Sequence, residues 1–255
     1  MWPGDSSKQS RYRRLFDMLG LPTRGRVLEV GCGAGGASRF FADTNPAADL
    51  VIGVDPSQLA VAEATRVERP GARRGSASIA YLAMDGRQLA FADGTFDAVF
   101  CTRVLIHALE PGRIVSEMKR VLRAGGRMLL VEPDRDGLLS SVECDQVSRA
   151  FWATRRSVNP RIGRELYPLL RELGMTVEHV EPRFNLSRQP PGDEQVRSLE
   201  QELRDGRGEW WTLVESGRVT AEELRVYVEG LRRAVDTGVY LRTDLELAYL
   251  ARKIG

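Results

Sequence analysis

Through the first half of the chain, short apolar runs alternate with stretches in which apolar residues recur every three or four positions. RVLEV (26 to 30), DLVIGV (49 to 54), IAYLA (79 to 83), FDAVFC (96 to 101) and GRMLLVE (126 to 132) read as strands. PSQLAVAEATRVE and PGRIVSEMKRVLRAGG read as intervening helices, the second stopping at Gly125 and Gly126 because glycine ends helices readily. Strands that alternate with helices predict an α/β fold, a parallel sheet covered on both faces.

The rhythm changes after Glu132. Residues 138–156 read as one long helical stretch carrying Phe151, Trp152, Arg155 and Arg156, followed by a helix over 161–173 and the strand TVEHVEPRFNL. The chain closes on a strand near LELAYLARK. Between these last two strands lie the loop RQPPGDE and helical segments over about 194–235, ending at Gly238. This excursion is polar and reads as too small for a core of its own. The expectation is a single domain over 1–255, with its core over about 15–135 and a lid from 138–165 and 190–240.

Composition narrows the class. The 255 residues carry 37 basic and 35 acidic side chains and are 42% hydrophobic, the balance of a globular protein. No apolar run approaches the roughly 18 residues of a membrane span, and the start MWPGDSSKQSRYRR has no apolar signal segment, so a cytoplasmic chain without a membrane partner is expected. Cys32, Cys101 and Cys144 are odd in number and lack C-x-x-C spacing, which argues for reduced thiols and against a metal site. Lys8, Lys119 and Lys253 are the only lysines, and the arginines are scattered among acids. That argues against a nucleic-acid partner, whose phosphates need concentrated positive charge.

The strongest local signal is VLEVGCGAGG, where a strand ends in Glu29, Gly31, Cys32, Gly33, Gly35 and Gly36 before the helix ASRFFAD. Glycines let the backbone turn sharply and approach a ligand, and the following helix offers free N–H groups. The alternative is a plain tight turn. Gly31-x-Gly33-x-x-Gly36 also satisfies the dinucleotide fingerprint, with Asp55 where a ribose-binding acid belongs, so an NAD-dependent oxidoreductase stays open on this test.

Glu29 two residues before the first glycine, AMDG after the third strand, and an antiparallel pair after the fifth strand tilt the reading. With these features the sequence resembles the class I S-adenosylmethionine-dependent methyltransferases, in particular the small-molecule ubiquinone/menaquinone methyltransferase-like group, over residues 15 to 182. The resemblance implies a Rossmann-like, doubly wound, seven-stranded, mostly parallel sheet with an antiparallel last strand and helical lid insertions. It implies S-adenosyl-L-methionine as cofactor, with Glu29, Gly31, Cys32, Gly33 and Gly35 around its methionyl part. Asp55 would take the ribose hydroxyls beside Pro56 and Ser57, while Met84, Asp85 and Gly86 would meet the adenine. A carboxylate suits hydroxyls or an amine, and a thioether suits an aromatic face. Asp85 also reads as a turn acid in D-G, and Asp55 as a helix N-terminal acid.

FDAVFCTRVLIHALEP matches the family's fourth strand, which places Cys101, Thr102 and Arg103 at the edge of the cofactor pocket. The asparagine-proline-proline-aromatic motif of amide and nucleobase methyltransferases is absent. His107 follows Arg103 by four residues, so the two would share a helix face, and its imidazole is the best candidate base; the bland reading is a packed histidine. Arg155, Arg156, Asn159, Arg161 and Arg164 offer a basic stretch for an anionic or carbonyl-bearing substrate, or simply a solvated face. Phe151, Trp152, Trp210 and Trp211 would wall an aromatic substrate or pack the lid. The expected activity is methyl transfer to an oxygen, nitrogen or carbon nucleophile of a small molecule, by a monomer or homodimer. The rival within the same fold is a cofactor-binding protein that runs a different reaction.

Overall fold

Five strands of the computed structural model fall where the apolar runs predict them: β1 (Arg26–Val30), β2 (Leu50–Asp55), β3 (Ser78–Ala83), β4 (Phe96–Thr102) and β5 (Leu122–Ser140). The structure describes residues 12–13, 15–17, 25–45, 48–68, 77–155 and 158–255. Helices α1 (Gly36–Thr44), α2 (Gln58–Val67) and α3 (Pro111–Val121) alternate with the strands, and α4 (Gln146–Arg155), α5 (Ile162–Glu172), β6 (Met175–Ser187), α6 (Asp193–Asp205), α7 (Thr212–Glu215), α8 (Ala221–Thr237) and β7 (Arg242–Lys253) follow. The sheet has seven strands in the order β3-β2-β1-β4-β5-β7-β6. Parallel pairing joins β1 to β2 and β4, β2 to β3, and β4 to β5, with the antiparallel last strand inserted between β5 and β6. A parallel order that reverses at β1/β4 leaves a crevice at the carboxyl ends of those strands, the place where open α/β sheets bind ligands.

The chain divides into two compact units where the sequence reading expects one domain with a lid: Met1–Glu132 with Arg164–Glu181 and Ala248–Gly255, and Pro133–Gly163 with Pro182–Leu247. The first is built on Val27, Phe41, Val51, Phe100 and Leu129, all nearly or wholly buried. Phe16, from the segment before β1, enters this core edge-on to Phe41 and Phe100, at centroid distances of 4.8 and 5.2 Å. Burying such a ring contributes about 1.5–3 kcal/mol.

The second unit overturns the expectation of a coreless excursion. Val142, Val147, Phe151, Val196, Leu199, Trp210, Leu224 and Leu231 form a hydrophobic cluster of their own. Helix α8 shows why: Leu224, Tyr227, Val228, Leu231 and Ala234 recur at helical spacing on one buried face, and Thr220 with Glu223 closes a capping box at its start. The helical stretch expected over 138–156 is also corrected. Residues through Ser140 continue β5, and α4 begins only at Gln146, after Cys144 has taken a left-handed φ of 54° that no helix interior permits.

Candidate active site

The turn after β1 is shaped by contacts made far along the chain. Gly31 and Cys32 both donate their N–H groups to the Val54 carbonyl, at 2.8 and 2.9 Å. Gly31 sits at φ +79°, and a Cβ there would lie 2.1 Å from Cγ2 of Val104. Gly35, at φ +76°, faces the Tyr81 ring, whose hydroxyl donates to the Gly35 carbonyl at 3.2 Å. At these two positions a side chain would be both strained and blocked. The Gly33 N–H donates to Oδ2 of Asp55 at 2.9 Å, and Oδ1 takes the Ser57 N–H at 2.9 Å. The Ser57 hydroxyl in turn caps α2 by accepting from Ala60 at 3.2 Å. Each Asp55 oxygen keeps acceptor capacity beyond these bonds.

Glu29 is buried near the end of β1 and accepts a hydrogen bond from the Ser38 hydroxyl of α1. Burial pushes its carboxyl up to about 7, against the pull of the Ser38 bond. Burial likewise raises the Cys32 thiol to about 12 and the Cys101 thiol well above its ordinary value, so both remain neutral thiols.

A cavity of about 300 Å³ opens within the first unit. Gly31, Pro56, Met84, Asp85 and Gly86 line it, together with Val104, His107, Leu109 and Ile114. Met84 is held by the Ala90 N–H, which donates to its sulfur at 3.3 Å. The Asp85 carboxylate accepts from the Arg87 N–H at 2.9 Å and from its guanidinium at 2.7 Å, and Arg87 reaches Glu110 at 3.0 Å. Arg87 holds the Asp85 carboxyl below the usual range.

Glu132, in β5, is wholly buried, at 0% exposure. Its Oε1 accepts from the N–H groups of Val104 and Leu105, each at 2.8 Å, and its Oε2 from Ile106 at 3.2 Å. The shared helix face expected for Arg103 and His107 is corrected by this arrangement. Arg103 takes a left-handed φ of 59°, and Leu105–His107 forms a single 3-10 turn in which the His107 N–H donates to the Val104 carbonyl at 2.9 Å, while the N–H groups of Val104, Leu105 and Ile106 go to the one carboxylate. His107 lines the cavity; Cys101 is buried in β4, Thr102 is half-buried at its end, Arg103 is exposed, and these three are not among the cavity's described lining.

The second unit holds its own cavity, of about 310 Å³, into which Trp152 and Trp210 are brought together with Tyr227, Tyr240 and Arg242. Phe151 lies behind, stacked on Trp210 at 3.6 Å and 4°. Trp211 and Asn159 are half-buried and not part of this lining. Arg155 ends α4, but its side chain, like Arg156 as a whole, lies outside the described residues. Arg161 pairs with Asp136 at 3.3 Å. Sequence reasoning missed Ser38, Tyr81, Glu132, Tyr240 and Arg242. Only Glu132 carried a visible signal, an acid ending the apolar run LLVE.

The profile of the methyltransferase domain family matches residues 28–130. The chain is 32% identical over 189 residues to an uncharacterized 37.1 kDa protein in transposon TN4556 of Streptomyces fradiae, covering 73% of this chain and 53% of that one. It is 34% identical over 155 residues to the demethylmenaquinone methyltransferase of Renibacterium salmoninarum, covering 59% and 61%. The chain thus spans between half and two thirds of the length of these relatives. The geranyl diphosphate C-methyltransferase of Streptomyces coelicolor, solved with Mg2+, geranyl diphosphate and S-adenosyl-L-homocysteine, shares the fold at a TM-score of 0.59 and 16% identity, over 97% of this chain and 79% of that one.

Proposed function

We propose that this chain, whose residues 28–130 match the methyltransferase domain family, is an S-adenosylmethionine-dependent methyltransferase that acts on a small molecule. The observation that carries the reading is the convergence of Gly31, Pro56, Met84, Asp85 and Gly86 on one cavity. These residues come from three separate loops, and only the fold brings them together.

The residues fit the cofactor. Asp55 offers two carboxylate oxygens with acceptor capacity to spare for vicinal ribose hydroxyls. Met84, Ile114 and Leu109 offer apolar surface to a purine. Glu29, two residues before Gly31, would supply a buried carboxylate for a cationic amino acid head. When bound, S-adenosylmethionine supplies a methyl group already activated on a sulfonium centre.

The chain's own part is to bind, orient and exclude water. Asp55 holds the glycine turn and would hold the ribose as well. Glu29 carries its proton at low pH and yields it where a cation approaches. Glu132 fixes the 104–107 turn, so that Val104 and His107 meet the cavity in one arrangement. Alignment of nucleophile, methyl and leaving sulfur supplies much of the acceleration, so no strong base is required. His107 therefore serves as cavity wall in this reading. A small organic acceptor is supported by the similarity to the demethylmenaquinone methyltransferase, with transfer to oxygen, nitrogen or carbon.

Thermal unfolding with equal concentrations of S-adenosylmethionine, S-adenosylhomocysteine and NAD tests the reading. A ligand at a hundred times its Kd stabilises the folded state by about 2.7 kcal/mol. The two sulfur ligands should raise Tm by several degrees and NAD should not. A shift with NAD alone would sink the assignment.

A further inference from the structure

The Asp85 carboxylate, on the wall of the first unit's cavity, is held by a neighbour two residues on. Its Oδ1 accepts the Arg87 backbone N–H at 2.9 Å. The Arg87 Nε–H is shared between Oδ1 and Oδ2, at 3.1 and 3.0 Å, and Nη2 donates to Oδ2 at 2.7 Å. A carboxylate has about four lone-pair positions, so these three donors fix its orientation and leave one position for a further N–H. The guanidinium also holds the carboxyl below its usual range, so the remaining position accepts and cannot donate.

Arg87 is itself buttressed. Its Nη1 donates to Oε2 of Glu110 at 3.0 Å, so the guanidinium is gripped from both ends while it lines the cavity with Asp85. The backbone beneath is anchored to α3 by other groups. Arg113 donates to the Arg87 carbonyl at 3.1 Å, Glu117 accepts the Leu89 N–H at 2.8 Å, and Arg120 donates to the Leu89 carbonyl at 2.7 Å. The side chains of Asp85, Arg87 and Glu110 are 42% to 53% exposed, and ion pairs open to water stabilise a fold little. What the clamp does control is the direction of one carboxylate on the cavity wall.

We propose that Arg87 is a positioning residue that sets base specificity in this cavity, holding the Asp85 carboxylate so that its remaining lone pair meets the exocyclic amine of a purine. The inference rests on the cofactor reading of the cavity.

Calorimetry of the full chain with S-adenosylhomocysteine and with S-inosylhomocysteine, which carries an oxygen in place of the amine, tests the proposal. The wild type should prefer the adenosyl ligand by at least about ten-fold, since an amine donor is lost and an oxygen meets a carboxylate. Arg87→Met keeps the stem and removes the donors. It should weaken S-adenosylhomocysteine about ten-fold and leave S-inosylhomocysteine within about two-fold, while Tm moves by no more than about two degrees. Arg87→Lys keeps the charge without the fork and should resemble Arg87→Met rather than the wild type. In an Asp85→Ala background, Arg87→Met should change neither affinity by more than about two-fold.

An adenosyl preference kept in Arg87→Met or Arg87→Lys would overturn the proposal. So would equal weakening of both ligands, which is what a merely structural role gives, or additivity with Asp85→Ala. A wild type that binds both ligands equally would overturn it and leave the cofactor reading standing. A wild type that binds neither would sink both.

Discussion

The carboxylate of Asp55 and the N–H of Gly33 are 2.9 Å apart, so the acid that would meet the ribose also fixes the glycine turn. The site is therefore organised before a ligand arrives, and one residue couples two parts of it. Removing that carboxylate should do two kinds of harm. Asp55→Ala is expected to weaken S-adenosylhomocysteine binding by ten- to a hundred-fold, on the order of the 1.5–3 kcal/mol of a charged hydrogen bond. It should also lower Tm, because the Gly33 and Ser57 N–H groups lose their acceptor. Calorimetry and melting on the same preparation separate the two effects.

Gly31 and Val104 make a steric prediction. Gly31→Ala puts a methyl 2.1 Å from Cγ2 of Val104 at a φ of +79°, and should destabilise the chain by about 1–3 kcal/mol. Gly31→Ala combined with Val104→Ala should relieve most of the clash but not the backbone strain. A double-mutant cycle by denaturant unfolding measures the difference, and strict additivity would mean that the two residues do not touch.

Glu29 makes stability depend on pH with a definite sign. Burial raises its carboxyl from an ordinary value of 4.5 to about 7, so the folded chain holds a proton that the unfolded chain has released. This contribution is fully present below about 4.5 and is lost as pH rises through about 7. Glu29→Gln should flatten that window in unfolding free energy measured from pH 4 to 8. A cationic ligand beside Glu29 favours the ionised form, so its binding should release a proton near pH 7, readable as a buffer-dependent calorimetric enthalpy. Binding that leaves the proton count unchanged at pH 6.5 would place the cation elsewhere.

Most of the first unit was legible in the sequence, because its strands are short apolar runs and its glycine turn uses a strong local code. Met84 and Asp85 were legible by position, yet the Asp85 carboxylate is bound to Arg87 two residues on, a contact that D-G alone does not announce. The second unit was misjudged for a physical reason. Its core draws on Val142 and Phe151 from one segment and Trp210 and Leu231 from another, so no single stretch looks apolar enough to pack. Cys144 and the residues before it read as helix by spacing, and the left-handed turn there depends on tertiary context. Ser38, Tyr81 and Arg242 were invisible because each acts on a partner brought near only by folding.

Glu132 accepts three successive N–H groups, which makes it a positioning residue. Glu132→Gln replaces one acceptor oxygen by a competing donor and strands at least one buried N–H, at about 1–3 kcal/mol. Tm should fall, and the Kd for S-adenosylhomocysteine should rise because Val104 and His107 leave their places. Melting and binding measured together check this, and a variant with reduced Tm but wild-type Kd would confine Glu132 to structure.

In the proposed reading the cavity lined by Gly31, Met84 and His107 takes the nucleoside of S-adenosylmethionine, with Asp55 on its ribose. Its most direct test is a calorimetric titration of the purified wild-type chain and of Asp55→Ala with S-adenosylhomocysteine. The account predicts one site per wild-type chain and at least a ten-fold weaker site in Asp55→Ala. Equal affinity in the two proteins, or no binding to the wild type, would contradict it.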